Sequence, residues 1–397
     1  MFAKNAFSPF SRRSFLRLST AVSAAAAFQI VTEPMLAWAE LKSVSKDAVL
    51  INANENPLGP CARAREAIAA ITPQGGRYQL ELTDDLVGMV SQAEGVQPGY
   101  VSIFPGSSEP LHFAVLAYTS PTRSYVTADP GYEAGMRAAA FSGARVVKVP
   151  LTKTYAHDVK AMLAAQDAGL FYVCSPNNPT GTLTSHADIG YILENKPKQS
   201  ILLVDEAYLH FTEAPSVIDL VKADKDLIVL RTFSKIFGMA GLRCGMAIGR
   251  PDLLAKINNL AGRSAQPVTA VAAAIASLRD AGLVPERRHV NTTIRQETFE
   301  WLDRNGYAYI PSQSNCFMLN TKQTANNVIK AMAEQNVHIG RVWPIMPTWV
   351  RITVGTGAEM EQFRMAFRKV MDGVKMGKVV RPRLNSAEHL DGVRLQA

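Results

Sequence analysis

The chain has 397 residues, 47% of them hydrophobic and 19% charged, with a formal net charge of +8; this excludes a disordered or fibrous chain and exceeds what one hydrophobic core serves, so two domains are expected. Part of the positive charge is local, because the first 39 residues carry Lys4, Arg12, Arg13 and Arg17 against Glu33, leaving 38 basic and 33 acidic residues, or +5, in the remainder. Those basic residues are scattered and no aromatic-interleaved basic stripe is present, which argues against nucleic acid as a partner and suits anionic small molecules.

The N-terminus reads as an address. Ser11 to Arg17 spells SRRSFLR, an alanine-rich apolar run follows from Leu18 to Val31, and Ala37-Trp38-Ala39 is an A-x-A site. An ordinary amphipathic helix is the competing reading, but paired arginines, a short apolar run and small cleavage residues in that order favour a twin-arginine signal peptide over residues 1–39. The expected consequence is recognition by the twin-arginine export machinery and a periplasmic or extracellular protein beginning at Glu40. That route moves folded protein and is compatible with a cofactor loaded in the cytoplasm. No other segment reaches the ~20 uninterrupted apolar residues of a membrane span, so no stable membrane insertion is expected. Cys61, Cys174, Cys244 and Cys316 are widely spaced, without C-x-x-C or clustered histidines, so neither a metal site nor a disulfide framework is expected.

Residues 40–76 are expected to form an N-terminal arm and 77–283 a large domain, in which an α/β rhythm runs from about Ala93 to Gly249: helical stretch, short apolar run, polar or glycine-containing loop. The apolar runs are Tyr125–Thr127, Arg145–Val149, Leu170–Cys174, Ile201–Val204, Leu227–Leu230 and Cys244–Ile248. Their near-continuous apolarity predicts a mostly parallel sheet covered on both faces, with ligands gathering beyond the carboxyl ends of the strands. A helix follows from Pro251 to about Leu260 and an alanine-rich one from Val268 to about Ala281. A smaller α+β domain is expected over 284–376, with a long helix ending near Asn305, strands near Tyr307–Ile310, Cys316–Asn320 and Trp349–Val354, and helices near 324–335 and 359–372. Residues 377–397 read as a polar, basic tail.

Polar residues at the strand ends complement one another. SPNNPTG (Ser175 to Gly181) forms a rigid turn. In DEAY (Asp205 to Tyr208), an aspartate at the end of a buried strand is costly unless it meets a cationic partner. Lys235 follows the LIVLRT run and precedes a glycine turn with Arg243. A desolvated lysine amine forms a Schiff base with an aldehyde, and joined to Asp205 it suggests pyridoxal phosphate, whose ring nitrogen requires a carboxylate to remain protonated. PGSSEP (Pro105 to Pro110) opens a helical stretch where free N–H groups and the Ser107 and Ser108 hydroxyls attract an anion, although by itself this turn reads as a capped helix. Arg243 can fork onto the same anion.

Together NANENPLGP (Asn52 to Pro60), GRYQ, PGSSEP, SPNNPTG, VDEAY, TFSKIFGMAGLRCG and VRITVGT resemble, in order and over about Leu50 to Val370, the fold-type I, class I/II pyridoxal-phosphate aminotransferases, above all the histidinol-phosphate aminotransferases. The resemblance implies Lys235 as the cofactor-bearing lysine and proton shuttle, and Asp205 on the ring nitrogen. Asn178 and Tyr208 would bond the ring hydroxyl, and Tyr132 would lie on the ring face. Ser107, Ser108, Thr232, Ser234 and Arg243 would hold the phosphate, with Tyr78 reaching the neighbouring subunit's cofactor in a homodimer. Arg351 would fork onto a substrate carboxylate, assisted by Asn315. Arg341 is either a second anion contact or a surface arginine.

The partners implied are an amino donor and a 2-oxo acid acceptor. GSSEP, GRYQLE and IGRVWP depart from the histidinol-phosphate pattern, and export argues against a housekeeping step on an intracellular phosphate ester. An amino acid or a secreted metabolite is the expected substrate. A decarboxylase, racemase or elimination enzyme on the same fold is the alternative. A non-catalytic exported binding protein fits the set of cofactor positions poorly, and a nicotinamide dehydrogenase lacks G-x-G-x-x-G after its first strand.

Overall fold

Seven strands build the central sheet of the computed structural model, which describes residues 29–37, 44–262 and 265–377, without the side chains of 374–377. The paired arginines, Trp38-Ala39 of the A-x-A site and the tail after 377 lie outside the described residues. In chain order the strands are β1 (Val49–Ile51), β2 (Val101–Phe104), β3 (Ser124–Asp129), β4 (Val146–Pro150), β5 (Ala168–Cys174), β6 (Ile201–Asp205), β7 (Leu227–Thr232), β8 (Gly245–Gly249), β9 (Cys316–Asn320), β10 (Val337–Ile339) and β11 (Trp349–Thr353). The large sheet runs β2-β8-β7-β6-β5-β3-β4. Strands β3 to β7 are parallel, and β8 lies antiparallel between β7 and β2.

Every residue of β5, β6, β7 and β8 is buried, which explains their unbroken apolar runs. Burying each side chain such as Leu202, Leu203 or Val204, all fully inaccessible, contributes about 1.5–3 kcal/mol. The helix His186–Asn195, one of the covering elements, starts where Ser185 accepts the Asp188 N–H, an N-cap worth about 1 kcal/mol. The helices Ser108–Tyr118 and Pro251–Ala261 pack against each other.

The C-terminal unit holds two small sheets, β9 with β11 antiparallel and β1 with β10 parallel. The N-terminal arm thus supplies a strand to the small domain. The expected strand at Tyr307–Ile310 is reduced to one bridge between Tyr309 and Leu319; Pro311 lacks the N–H needed to extend a ladder, and Tyr309 instead stacks on Phe299 at 4.3 Å. The alanine-rich helix stops at Leu278, before Asp280 and Gly282, both poor helix formers. The helix Leu283–Arg304 belongs to both domains, because Arg287 donates to the carbonyls of Ile236 and Gly59, and Arg288 to that of His210. In the last helix, Met360, Phe363, Phe367 and Val370 repeat at helical spacing and are buried, as an amphipathic helix requires.

Candidate active site

Alternation along the end of β6 separates two acidic neighbours. Asp205 points into the cleft, where its carboxylate accepts the Tyr172 hydroxyl at 2.8 Å and the Ala207 N–H at 3.0 Å. Glu206 turns away and takes Arg231, Ser216 and the Val217 N–H. The expected cationic partner of Asp205 is not a side chain in hydrogen-bond contact: both of its bonded donors are neutral. Burial therefore pushes its carboxyl up to about 6, against the opposing pull of those hydrogen bonds and of Lys235.

Beyond β7, Lys235 is 8% exposed. Its Nζ donates to the Asn54 carbonyl at 2.9 Å and lies 5.4 Å from the centre of the Tyr208 ring. Burial lowers the lysine pKa, while Glu33 pulls in the opposite direction. Asn54 also donates from Nδ2 to the Tyr208 hydroxyl at 3.0 Å.

The anion cradle lies on the same side. Ser107, the N-cap of helix Ser108–Tyr118, makes no side-chain cap hydrogen bond, so it does not serve as an ordinary side-chain cap. Thr232 donates to Ser234 at 2.9 Å, and Arg243 reaches the Pro105 carbonyl at 3.1 Å and Ser234 at 3.4 Å. Gly106 sits at φ +88, and a Cβ there would overlap Arg243 Nη2. Any other residue would be strained there by backbone conformation, and its Cβ would displace the Arg243 guanidinium.

Ser107, Ser108, Tyr132, Asn178, Asp205, Tyr208, Thr232, Ser234, Lys235 and Arg243 all line one cleft of about 610 Å³, counting its open mouth. Its chemistry fits a phosphorylated pyridine aldehyde: donors for the phosphate, a buried amine for the aldehyde, and a carboxylate under desolvation strain for a ring N–H⁺.

Arg351, on β11, is fully buried. It donates from Nη1 to Asn178 Oδ1 at 2.8 Å, and from Nη2 to the Asn52 carbonyl at 2.7 Å and to Glu33 Oε1 at 2.5 Å. Arg341 is no surface arginine: its side chain is 12% exposed, pairs with Glu133 at 3.0 Å and lies over the Trp343 ring at 4.7 Å. Asn315 braces the backbone rather than extending the fork, donating to the carbonyls of Asn54 and Glu55. Tyr78 is 79% exposed and does not line its own chain's cleft.

Among the residues that sequence reasoning missed are Asn54 and Glu33. Asn54, in the left-handed region at φ +53, was signalled by the NANEN motif that contains it. Glu33 carried no signal, because it falls within the stretch read as a leader.

Fold and cleft define an α/β enzyme that works through a phosphorylated aldehyde cofactor held at the carboxyl ends of parallel strands. The family model for aminotransferase class I and II matches residues 46–367, and the chain belongs to that family. It is similar to the histidinol-phosphate aminotransferase of Moorella thermoacetica, 31% identical over 340 residues that cover 82% of this chain and 86% of the relative. It is also similar to that of Symbiobacterium thermophilum, 33% identical over 329 residues covering 82% and 91%. Among solved structures, the Sinorhizobium meliloti histidinol-phosphate aminotransferase in complex with pyridoxal-5'-phosphate superposes with a TM-score of 0.74 at 25% identity, covering 88% of this chain and 100% of that one. The expected fold-type I architecture and cofactor hold: this is a pyridoxal-phosphate-dependent aminotransferase, histidinol-phosphate aminotransferase-like.

Proposed function

We propose that the chain moves an amino group between a carboxylate-bearing amino donor and a 2-oxo acid, with Lys235 taking and returning the proton at the substrate α-carbon. The observation that carries this reading is that the buried Lys235 amine shares one cleft with Asp205 and with the Ser107, Ser108, Ser234 and Arg243 donors. Pyridoxal phosphate, when bound, supplies an aldehyde that condenses with amines and a ring that withdraws electrons from the α-carbon. Asp205 would keep the ring nitrogen protonated, and Asn178 and Tyr208 would bond the ring hydroxyl. Tyr132 would wall the ring, and Thr232 would join the phosphate donors. Arg351 would take the substrate carboxylate, with Arg341 as a second cation facing the same region.

Addition of an amino donor should convert the cofactor absorbance to that of its amino form, and 2-oxoglutarate should reverse the change. Silence across a broad donor panel would refute transamination by this cleft.

Two further readings belong here. A homodimer is supported by the exposed Tyr78, which is available to reach a neighbouring subunit's cofactor. Export by the twin-arginine route, with cleavage after Ala39, is supported by SRRSFLR and Ala37-Trp38-Ala39.

A further inference from the structure

The position assigned to the substrate carboxylate is filled by the chain itself. Glu33, 8% exposed, sets Oε1 2.5 Å from Arg351 Nη2, and Oε2 3.5 Å from Asn178 Nδ2 and 3.6 Å from Arg341 Nη2. Two guanidinium groups and an amide thus converge on one carboxylate, the arrangement by which a ligand carboxylate would be held.

The segment carrying Glu33 is pinned at both ends. The Val31 N–H donates to His112 Nε2 at 3.0 Å, with Val31 only 1% exposed, and Asn52 Nδ2 donates to the Ala37 carbonyl at 3.3 Å. Thr32, Glu33 and Pro34 line the same cleft as Lys235. Burial raises the Glu33 pKa, but attraction to Arg351, Arg341 and Lys235 outweighs it and holds the carboxyl below its ordinary value. The group is therefore anionic, as a substrate carboxylate is.

We propose that residues 31–37 act as an intramolecular plug, in which Glu33 occupies the substrate-carboxylate position on Arg351 and any carboxylate ligand must displace it. This rests on the reading above that Arg351 is the substrate anchor. A plug closed ten times as often as it is open weakens apparent ligand affinity about tenfold.

The test uses the full-length holoenzyme and titrates maleate, an unreactive dicarboxylate, by calorimetry, alongside steady-state kinetics with 2-oxoglutarate. Glu33→Gln should tighten maleate at least tenfold, about 1.4 kcal/mol, and lower KM by a similar factor while moving kcat much less. Glu33→Asp, charged but one methylene shorter, should fall between the two. A Glu33→Gln protein that binds maleate no better than wild type, or more weakly, overturns the plug and makes Glu33 a support for Arg351. If that variant fails to take up cofactor, Glu33→Asp decides alone: tighter maleate supports the plug, and equal or weaker binding overturns it. Arg351→Ala separates the two readings. Maleate binding lost in Arg351→Ala but unmoved in Glu33→Gln leaves the anchor standing and refutes the plug, whereas maleate binding unmoved in Arg351→Ala refutes the anchor and the plug with it.

Discussion

Replacing Asp205 by asparagine keeps the shape of the side chain and removes its charge, and the structure predicts opposite effects on the empty and the loaded protein. In the cofactor-free chain the carboxyl titrates at about 6 rather than its ordinary 3.8, because burial opposes ionisation more than the Tyr172 and Ala207 donors favour it. The folded state thus binds this proton more tightly than the unfolded state does. The stability linked to it is intact below about 4 and declines as pH rises towards 6. The span from 3.8 to about 6, at 1.36 kcal/mol per pH unit, makes the full cost about 3 kcal/mol. The substituted amide cannot ionise and escapes that cost. Apo Asp205→Asn should therefore melt on the order of 5 °C above apo wild type at pH 8, with the gap narrowing towards pH 5. In the loaded protein the cationic ring nitrogen offsets the cost, so the same substitution should weaken cofactor binding by roughly 100-fold, the factor that about 3 kcal/mol represents. Thermal melts of both forms from pH 5 to 8, with cofactor titration, are the assay. Parallel apo curves across that range would refute a strained carboxylate, and undiminished cofactor affinity would refute its pairing with the ring.

Lys235→Ala should abolish turnover and borohydride trapping of the cofactor together; retained turnover would remove the lysine from the mechanism. Gly106→Ala should weaken cofactor binding at least tenfold, since it adds about 1–2 kcal/mol of backbone strain at positive φ and displaces Arg243, which a Cβ would overlap; equal affinity would place the phosphate elsewhere. A twin-lysine replacement of Arg12 and Arg13 should retain the protein in the cytoplasm, as cell fractionation would show, and unchanged export would remove the twin-arginine reading.

The large domain was legible because its physics is local. Strands covered on both faces must be apolar throughout, so β5 to β8 stood out, and the polar residues behind them fell where a parallel sheet gathers ligands. The strands β1 and β10 did not stand out, because three residues carry no period and acquire meaning only by pairing with each other. Asp205 was legible as a buried acid, whereas its neutral hydrogen-bond partners were not, because Tyr172 lies 33 residues away on another strand. Arg341 could not be placed from its neighbours in sequence, because its ion-pair partner Glu133 lies 208 residues away. Glu33 was the least accessible to sequence reasoning. Its partner lies 318 residues away, and the local composition pointed to a leader rather than to a cleft.

The small domain contributes neither the lysine nor the aspartate, yet it determines where the lysine amine rests. Arg351 and Thr353 stand two apart on β11 and so share one face of the strand. Arg351 holds the arm through the Asn52 carbonyl at 2.7 Å. Thr353 holds it through Asn54, accepting its N–H and donating to its Oδ1, each at 3.0 Å. Asn54 then extends the chain of contacts across the cleft, offering its carbonyl to Lys235 Nζ and its amide to the Tyr208 hydroxyl. Only a residue tolerant of the left-handed region can turn both groups inward at φ +53, and asparagine is the side chain that also supplies the second donor. Arg351 and Lys235 are therefore two ends of one hydrogen-bonded ladder through the arm, so a ligand taking Arg351, as proposed, would act on the strand that also holds the lysine's acceptor in place.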